Sequence, residues 1–291
     1  MSLPAEVLKK VKLLELRTRK LVNNVFSGEY HSAFKGQGMT FSEFREYIPG
    51  DDVRTIAWPV TARTGTTFVK VFEEEREMTM MLAVDVSAST EFGTGEYFKG
   101  EVMSHLAALL GYAAMKNNDR VGLLLFSDQV EHYVPPKKGR GQVHRILRDL
   151  YFFQPKSKGT QLGAGLDHLT AVLKKRAHIF VFSDFLDRGY EHSLKKLGNK
   201  HDVACVVVKD KMETQFPAIG LVDLYDPETA EILTFDTSSK SFQESYLKLQ
   251  KKNEKLRDQI LLKSRMERID VISGEDYVSP LVAFFKRRAH R

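Results

Sequence analysis

The sequence predicts an α/β fold: a doubly wound, mostly parallel, Rossmann-like sheet, with a small N-terminal α+β module and an inserted β-hairpin. Three observations carry this. Apolar runs at residues 78–86, 120–126, 178–182 and 203–208 are dense enough in Val, Ile, Leu and Phe to be strands buried on both faces. Segments with apolar residues three and four apart alternate with these runs, as helices crossing between parallel strands do. Residues 221–225 and 231–235, separated by Asp226-Pro227-Glu228-Thr229, interrupt the alternation as a hairpin near 219–236.

In chain order, residues 4–26 read as an amphipathic helix, with Val7, Val11, Leu14, Leu21 and Val25 on one face and Gly28 after its end. Residues 29–77 are rich in Gly, Phe and charge, with short strands expected over 55–60 and 67–72 about a turn at Thr64-Gly65. Residues 1–77 are therefore expected to form an accessory module and 78–291 the main domain. In the latter, Phe98, Val102, Leu106, Leu109 and Ala113 mark a helix that ends near Asn117-Asn118. A short strand over 130–134, helices over 143–150, 162–173 and 193–197, and the remaining strands follow. Phe242, Tyr246, Leu249, Leu256 and Ile260 stripe a long helix, and a strand at 270–273 and a helix at 277–288 close the chain.

Composition narrows the functional classes. With 42% hydrophobic and 28% charged residues among 291, this is the profile of a globular protein with a sizeable core. The single cysteine, Cys205, sits in the apolar run at 203–208, where core packing is its expected role; it excludes an internal disulfide and suits a reducing compartment. No stretch approaches the roughly 18 apolar residues of a membrane span, and the first twenty residues lack a secretory block, so a cytoplasmic location is expected. The net charge of +6 is spread over scattered groups such as Lys174-Lys175-Arg176, the pattern of solvated helix ends.

The chemistry concentrates after the first buried strand, in Val84-Asp85-Val86-Ser87-Ala88-Ser89-Thr90. Asp85, Ser87 and Ser89 put one carboxylate and two hydroxyls in a single loop at the carboxyl edge of the sheet, where open α/β folds place ligands. Such donors suit a hard divalent cation, Mg²⁺ first, with Ca²⁺ and Mn²⁺ also admitted. Thr160 precedes a helix, and Asp184 ends the next apolar strand. Three loops thus bring five oxygen donors toward one ion.

The ordered set Asp85, Ser87, Ser89, Thr160 and Asp184 resembles the metal-ion-dependent adhesion site of von Willebrand factor A domains. The resemblance extends over nearly the whole chain to the bacterial family called domain of unknown function fifty-eight. It is carried by Phe34-Lys35-Gly36-Gln37-Gly38, Arg45-Glu46-Tyr47-Ile48-Pro49-Gly50-Asp51-Asp52-Val53-Arg54, Phe72-Glu73-Glu74-Glu75-Arg76-Glu77, residues 121–128, Asp226-Pro227-Glu228-Thr229 and Glu275-Asp276-Tyr277. One departure is Ile56-Ala57-Trp58, where that family is expected to carry Ile-Asp-Trp. The resemblance implies a von Willebrand factor A-like domain without enzymatic activity, partnered with a MoxR-type AAA+ ATPase or its client. The partner would supply a carboxylate to the ion.

Two other classes fit less of the sequence. A Mg²⁺-dependent phosphoester hydrolase of the haloacid dehalogenase kind resembles Asp-x-Asp, but position 87 is Ser, and Asp128 reads as a turn or cap residue. No Gly-x-Ser-x-Gly, Walker loop or His-Glu-x-x-His occurs. A nucleic-acid-binding role would use Lys251, Lys252, Lys255, Arg257 and Lys263, yet no aromatic residues interleave with them in a known binding pattern, and no nucleic acid is expected.

Overall fold

The computed structural model describes Tyr30 and residues 39–74, 78–214, 216–225 and 232–289. They form two compact units, one within Phe34–Met78 and one comprising Tyr30 and the residues from Thr79 onward. The helix expected over 4–26, the family stretch 34–38 and the turn at 226–229 lie outside the described residues.

In the smaller unit, β1 (Met39–Glu46) pairs antiparallel with β2 (Phe68–Glu74), with a bulge between Phe41 and Glu43. The strand expected over 55–60 is not formed. A 3-10 turn (Val53–Thr55) leads into α1 (Trp58–Thr64), and Ile56 makes only an isolated bridge to Val69. Pro59 explains the difference: it lacks an N–H, which a helix's first turn does not need and a strand ladder does. Gly65, at φ +74°, ends α1 in the left-handed conformation. Arg45 pairs with Asp51 at 2.8 Å and Arg54 with Asp52 at 3.3 Å, both within this unit.

The larger unit is built on a six-stranded sheet. Its strands are β3 (Thr79–Asp85), β4 (Arg120–Phe126), β5 (Val130–Lys137), β6 (His178–Ser183), β7 (Asp202–Lys209) and β10 (Glu267–Ile272). Their spatial order is β10-β7-β6-β3-β4-β5, and all pairs are parallel except β4 with β5. Numbered within the sheet this is 3-2-1-4-5-6, the doubly wound order, so the fold class is the expected one. β5 continues through Pro135 and Pro136, which only an edge strand tolerates.

Residue parity sorts the two faces. Met81, Ala83, Leu124, Phe126, Ile179, Val181, Val203, Cys205 and Val207 all belong to one core cluster with α4 (Leu162–Val172), α5 (Glu191–Lys200) and Ile260 and Leu261 of α7 (Lys240–Ser264). Cys205 is buried there, and burial pushes its thiol up to about 12, so core packing is its role. On the opposite face, Phe180 meets Phe284 and Phe285 of α8 (Val278–Ala289), and Tyr30 lies against Phe285 and donates to Asp119. Tyr30 thus packs with the larger unit. The remaining elements are α2 (Lys99–Lys116), α3 (Arg140–Phe152), the single turn α6 (Lys211–Thr214) and the hairpin of β8 (Leu221–Tyr225) with β9 (Ile232–Asp236).

Two helical faces differ from the sequence pattern. Phe98 is half exposed, because α2 starts at Lys99 and buries Val102, Leu106, Leu109 and Ala113 instead. On α7, Leu249 and Leu256 are exposed while Arg257 is buried. At Arg257 the inner face meets the Asp184 carbonyl and Glu254, which a guanidinium can pair with and a leucine cannot. Among the described residues, no helix is long and apolar enough to cross a membrane.

Candidate metal centre

The switch point of the sheet lies between β3 and β6, where neighbouring crossovers leave in opposite directions and open a crevice at the carboxyl edge. β3 ends there in Asp85, and β6 ends in Ser183 followed by Asp184. Asp85 is fully buried. Its Oδ1 accepts from Ser87 N (3.0 Å) and Ser87 Oγ (2.6 Å), and its Oδ2 accepts from Ser183 Oγ (2.7 Å). Ser87 Oγ lies 3.1 Å from Ser89 Oγ, and Ser89 is partly exposed, so a chain of oxygens runs from the buried carboxylate to solvent. The 3-10 turn Ala88–Glu91 shapes this loop, with Thr90 N and Oγ1 both donating to the Ser87 carbonyl.

Burial and the nearby Asp184 charge push the Asp85 carboxyl up to about 6. Loss of water and like-charge repulsion both disfavour its anion, and an added cation would relieve both.

Asp184 is turned by a tight bend. Phe185 adopts φ +55°, a left-handed conformation uncommon for a bulky residue, and is held by packing against Tyr190. Phe185 N donates to Ser183 Oγ, and Leu186 N donates to Asp184 Oδ1 at 3.2 Å. The other oxygen, Oδ2, accepts from Lys99 Nζ at 2.9 Å. Lys99 also donates to Glu213 Oε1 at 2.6 Å. Arg257 NH1 is 3.4 Å from the Asp184 carbonyl oxygen. Burial works against the Lys99 charge, and Asp184 and Glu213 outweigh it, raising its pKa above the ordinary lysine value.

Thr160 lies half-buried in the loop before α4. That loop is fastened to the β3 loop by Ala88 N donating to Lys158 O (3.1 Å), and to the end of β4 by Gln161 N donating to Ser127 O (3.0 Å). Gly159 approaches Asp128 so closely that a Cβ would lie 3.1 Å from its Oδ2. Direct hydrogen bonding therefore joins Asp85, Ser87 and Ser89. Asp184 reaches them through adjacent Ser183 and through its charge, and Thr160 is carried to the same edge by its loop. The donor set, one carboxylate with two hydroxyls in reach and a second carboxylate behind, fits a hard cation.

Sequence reasoning missed Lys99, Ser183, Glu213 and Arg257. One signal was available: a lysine at a helix N-terminus opposes the helix dipole and calls for carboxylates nearby. Phe92 (41% exposed), Phe98 (50%) and Leu186 (41%) also lie in the loops of this edge, leaving apolar surface beside the oxygen chain.

Strand order and site together define a doubly wound α/β protein with an oxygen-rich centre at its switch point. The chain belongs to the family described as Protein of unknown function DUF58, which matches residues 43–256. It is 30% identical to the uncharacterized proteins Rv1480 of Mycobacterium tuberculosis and Mb1516 of Mycobacterium bovis, over 77% of this chain and 72% of theirs. Among solved structures it is similar to an aerotolerance-related membrane protein from Bacteroides fragilis (14% identity, 73% of this chain and 98% of that one, TM-score 0.49). It is also similar to the SpRpn10 VWA domain (13% identity, 71% and 94%, TM-score 0.40). These structural similarities are too distant to bear on function.

Proposed function

We propose that this protein is a cytoplasmic, divalent-metal-dependent protein-interaction module of the von Willebrand factor A kind. In this reading Asp85, Ser87, Ser89, Thr160 and Asp184 hold Mg²⁺ and a carboxylate of the partner, a MoxR-type AAA+ ATPase or its client, completes the coordination. The observation that supports it is the run of oxygens from buried Asp85 through Ser87 to partly exposed Ser89, at the switch point and beside exposed Phe92, Phe98 and Leu186. Two carboxylates and three hydroxyls are five donors to an ion that takes six, so a visiting carboxylate can fill the remaining position with a charge-assisted contact. The apolar residues beside it suit a protein surface better than a small polar substrate.

The reading is one of binding without turnover. A haloacid dehalogenase-like hydrolase would carry Asp two positions after Asp85, and position 87 is Ser. The decisive experiment is capture of partners from lysate in Mg²⁺ and in EDTA, with Asp85→Ala in parallel. An AAA+ ATPase retained in Mg²⁺ and lost in both other arms is the expected result. Retention in all three arms rejects the proposal.

A further inference from the structure

We infer that Lys99 is the built-in counter-cation of this centre, and that it sets the centre's affinity for metal by competing for Asp184. This deepens the metal-dependent reading and rests on it. Lys99 and Asp184 are each only 2% exposed, and their charged atoms are 2.9 Å apart. A buried ion pair at that distance is not an incidental surface contact, because neither group can turn to water instead. The dipole of α2 does not favour a cation at this position, since the helix N-terminus is its positive end. The carboxylates hold it.

The geometry gives Lys99 two partners of different character. Asp184 is sealed in, whereas Glu213 is 16% exposed and lines a cavity of about 140 Å³ between the end of β7 and α7, with Leu186, Glu254 and Arg257. Asp184 could therefore turn toward a cation at Asp85 while Glu213 keeps the ammonium compensated. In the absence of metal, Lys99 offsets part of the Asp184 charge that faces Asp85. With metal, the same ammonium is a like charge beside a dication, in surroundings where screening by water is weak. Lys99 thus protects the empty centre and weakens the loaded one. A centre tuned this way binds and releases its ion at moderate concentration, which suits reversible capture of a partner.

The test is Mn²⁺ binding by the full chain, read by electron paramagnetic resonance of the free ion, in wild type, Lys99→Met, Glu213→Gln and Asp85→Asn. Lys99→Met is expected to bind Mn²⁺ at least about tenfold more tightly, since it removes a like charge. Glu213→Gln, which leaves Lys99 with Asp184 alone, is expected to bind several-fold more weakly, and it serves should Lys99→Met fail to fold. Binding by wild type that is lost in Asp85→Asn but unchanged in both other variants, or weakened in Lys99→Met, overturns the competition and leaves the metal reading standing. Absence of millimolar binding in wild type and in Lys99→Met alike removes both.

Discussion

The ammonium of Lys99 sits 2.9 Å from the Asp184 carboxylate with both side chains closed to solvent, joining the start of α2 to the end of β6 across 85 residues of sequence. Breaking such a pair strands a buried charge, at a cost of about 3–5 kcal/mol. Lys99→Met, which leaves Asp184 buried without its counter-ion, should fall in that range by urea unfolding in EDTA, and Asp184→Asn should cost less, because Glu213 still holds the ammonium at 2.6 Å. The double variant should be less destabilised than the sum of the two, by about 1–3 kcal/mol. Simple additivity would mean that the two groups do not depend on each other.

A second prediction concerns packing beneath the same edge. Gly165 of α4 lies so close to Phe126 that a Cβ would come within 2.8 Å of the ring's Cγ. Phe126 is fully buried at the end of β4 and has nowhere to move. Gly165→Ala should therefore destabilise the protein by about 1–3 kcal/mol, although alanine is the better helix former by about 1 kcal/mol. Gly141→Ala in α3, with nothing within 4 Å of its Cβ, is the control and should be neutral or stabilising. Thermal melting of both variants decides; equal melting temperatures would show that α4 can shift off the sheet.

The fold was legible because its central strands advertise themselves. A run such as Met80 to Val84, apolar at every position, can be soluble only with both faces covered. The 55–60 segment misled because Thr55, Ile56 and Val60 are strand-forming residues, and the position of Pro59 in the first turn of a helix outweighed them. Of the candidate centre, Asp85, Ser87 and Ser89 were legible because their spacing is local and one loop joins them. Lys99 and Glu213 were not. Their partnership with Asp184 arises only when α2, β6 and α6 meet, and the one local hint, a lysine set against the positive end of a helix dipole, does not say which carboxylates answer it. Arg257 was hidden for the same reason: counted among the basic residues of α7, it is the one that faces inward.

Ser183 supplies a third prediction. Its hydroxyl donates to Asp85 Oδ2 at 2.7 Å and accepts from Phe185 N at 3.1 Å, tying the ends of β3 and β6 together. Ser183→Ala leaves a buried carboxylate oxygen and a buried N–H without these partners, a loss of about 1–3 kcal/mol. Chemical denaturation in EDTA measures it. A change below about 0.5 kcal/mol would mean that Ser87 alone suffices to hold Asp85.

The opposite edge of the sheet predicts a pH dependence. His178 opens β6, with Nδ1 2.8 Å from Asp202 Oδ2, and Arg288 occupies the same carboxylate. Burial, followed by the Arg288 and Arg176 charges, lowers the His178 pKa from 6.5 to about 4. In the unfolded chain this imidazole takes up its proton near the ordinary value, whereas the folded protein resists until about pH 4. Between those limits the unfolded state binds more protons, so this residue makes the folded protein less stable as pH falls from about 6.5 and more stable as it rises again. The slope from one such group is at most about 1.4 kcal/mol per pH unit. His178→Gln removes the proton site while keeping a side chain that can hydrogen-bond to Asp202. Urea unfolding of both proteins across pH 4–7 in EDTA should show wild type losing more stability on acidification than the variant. Parallel curves would mean that Asp202 accommodates the imidazolium despite Arg288, and that acid sensitivity arises elsewhere in the chain.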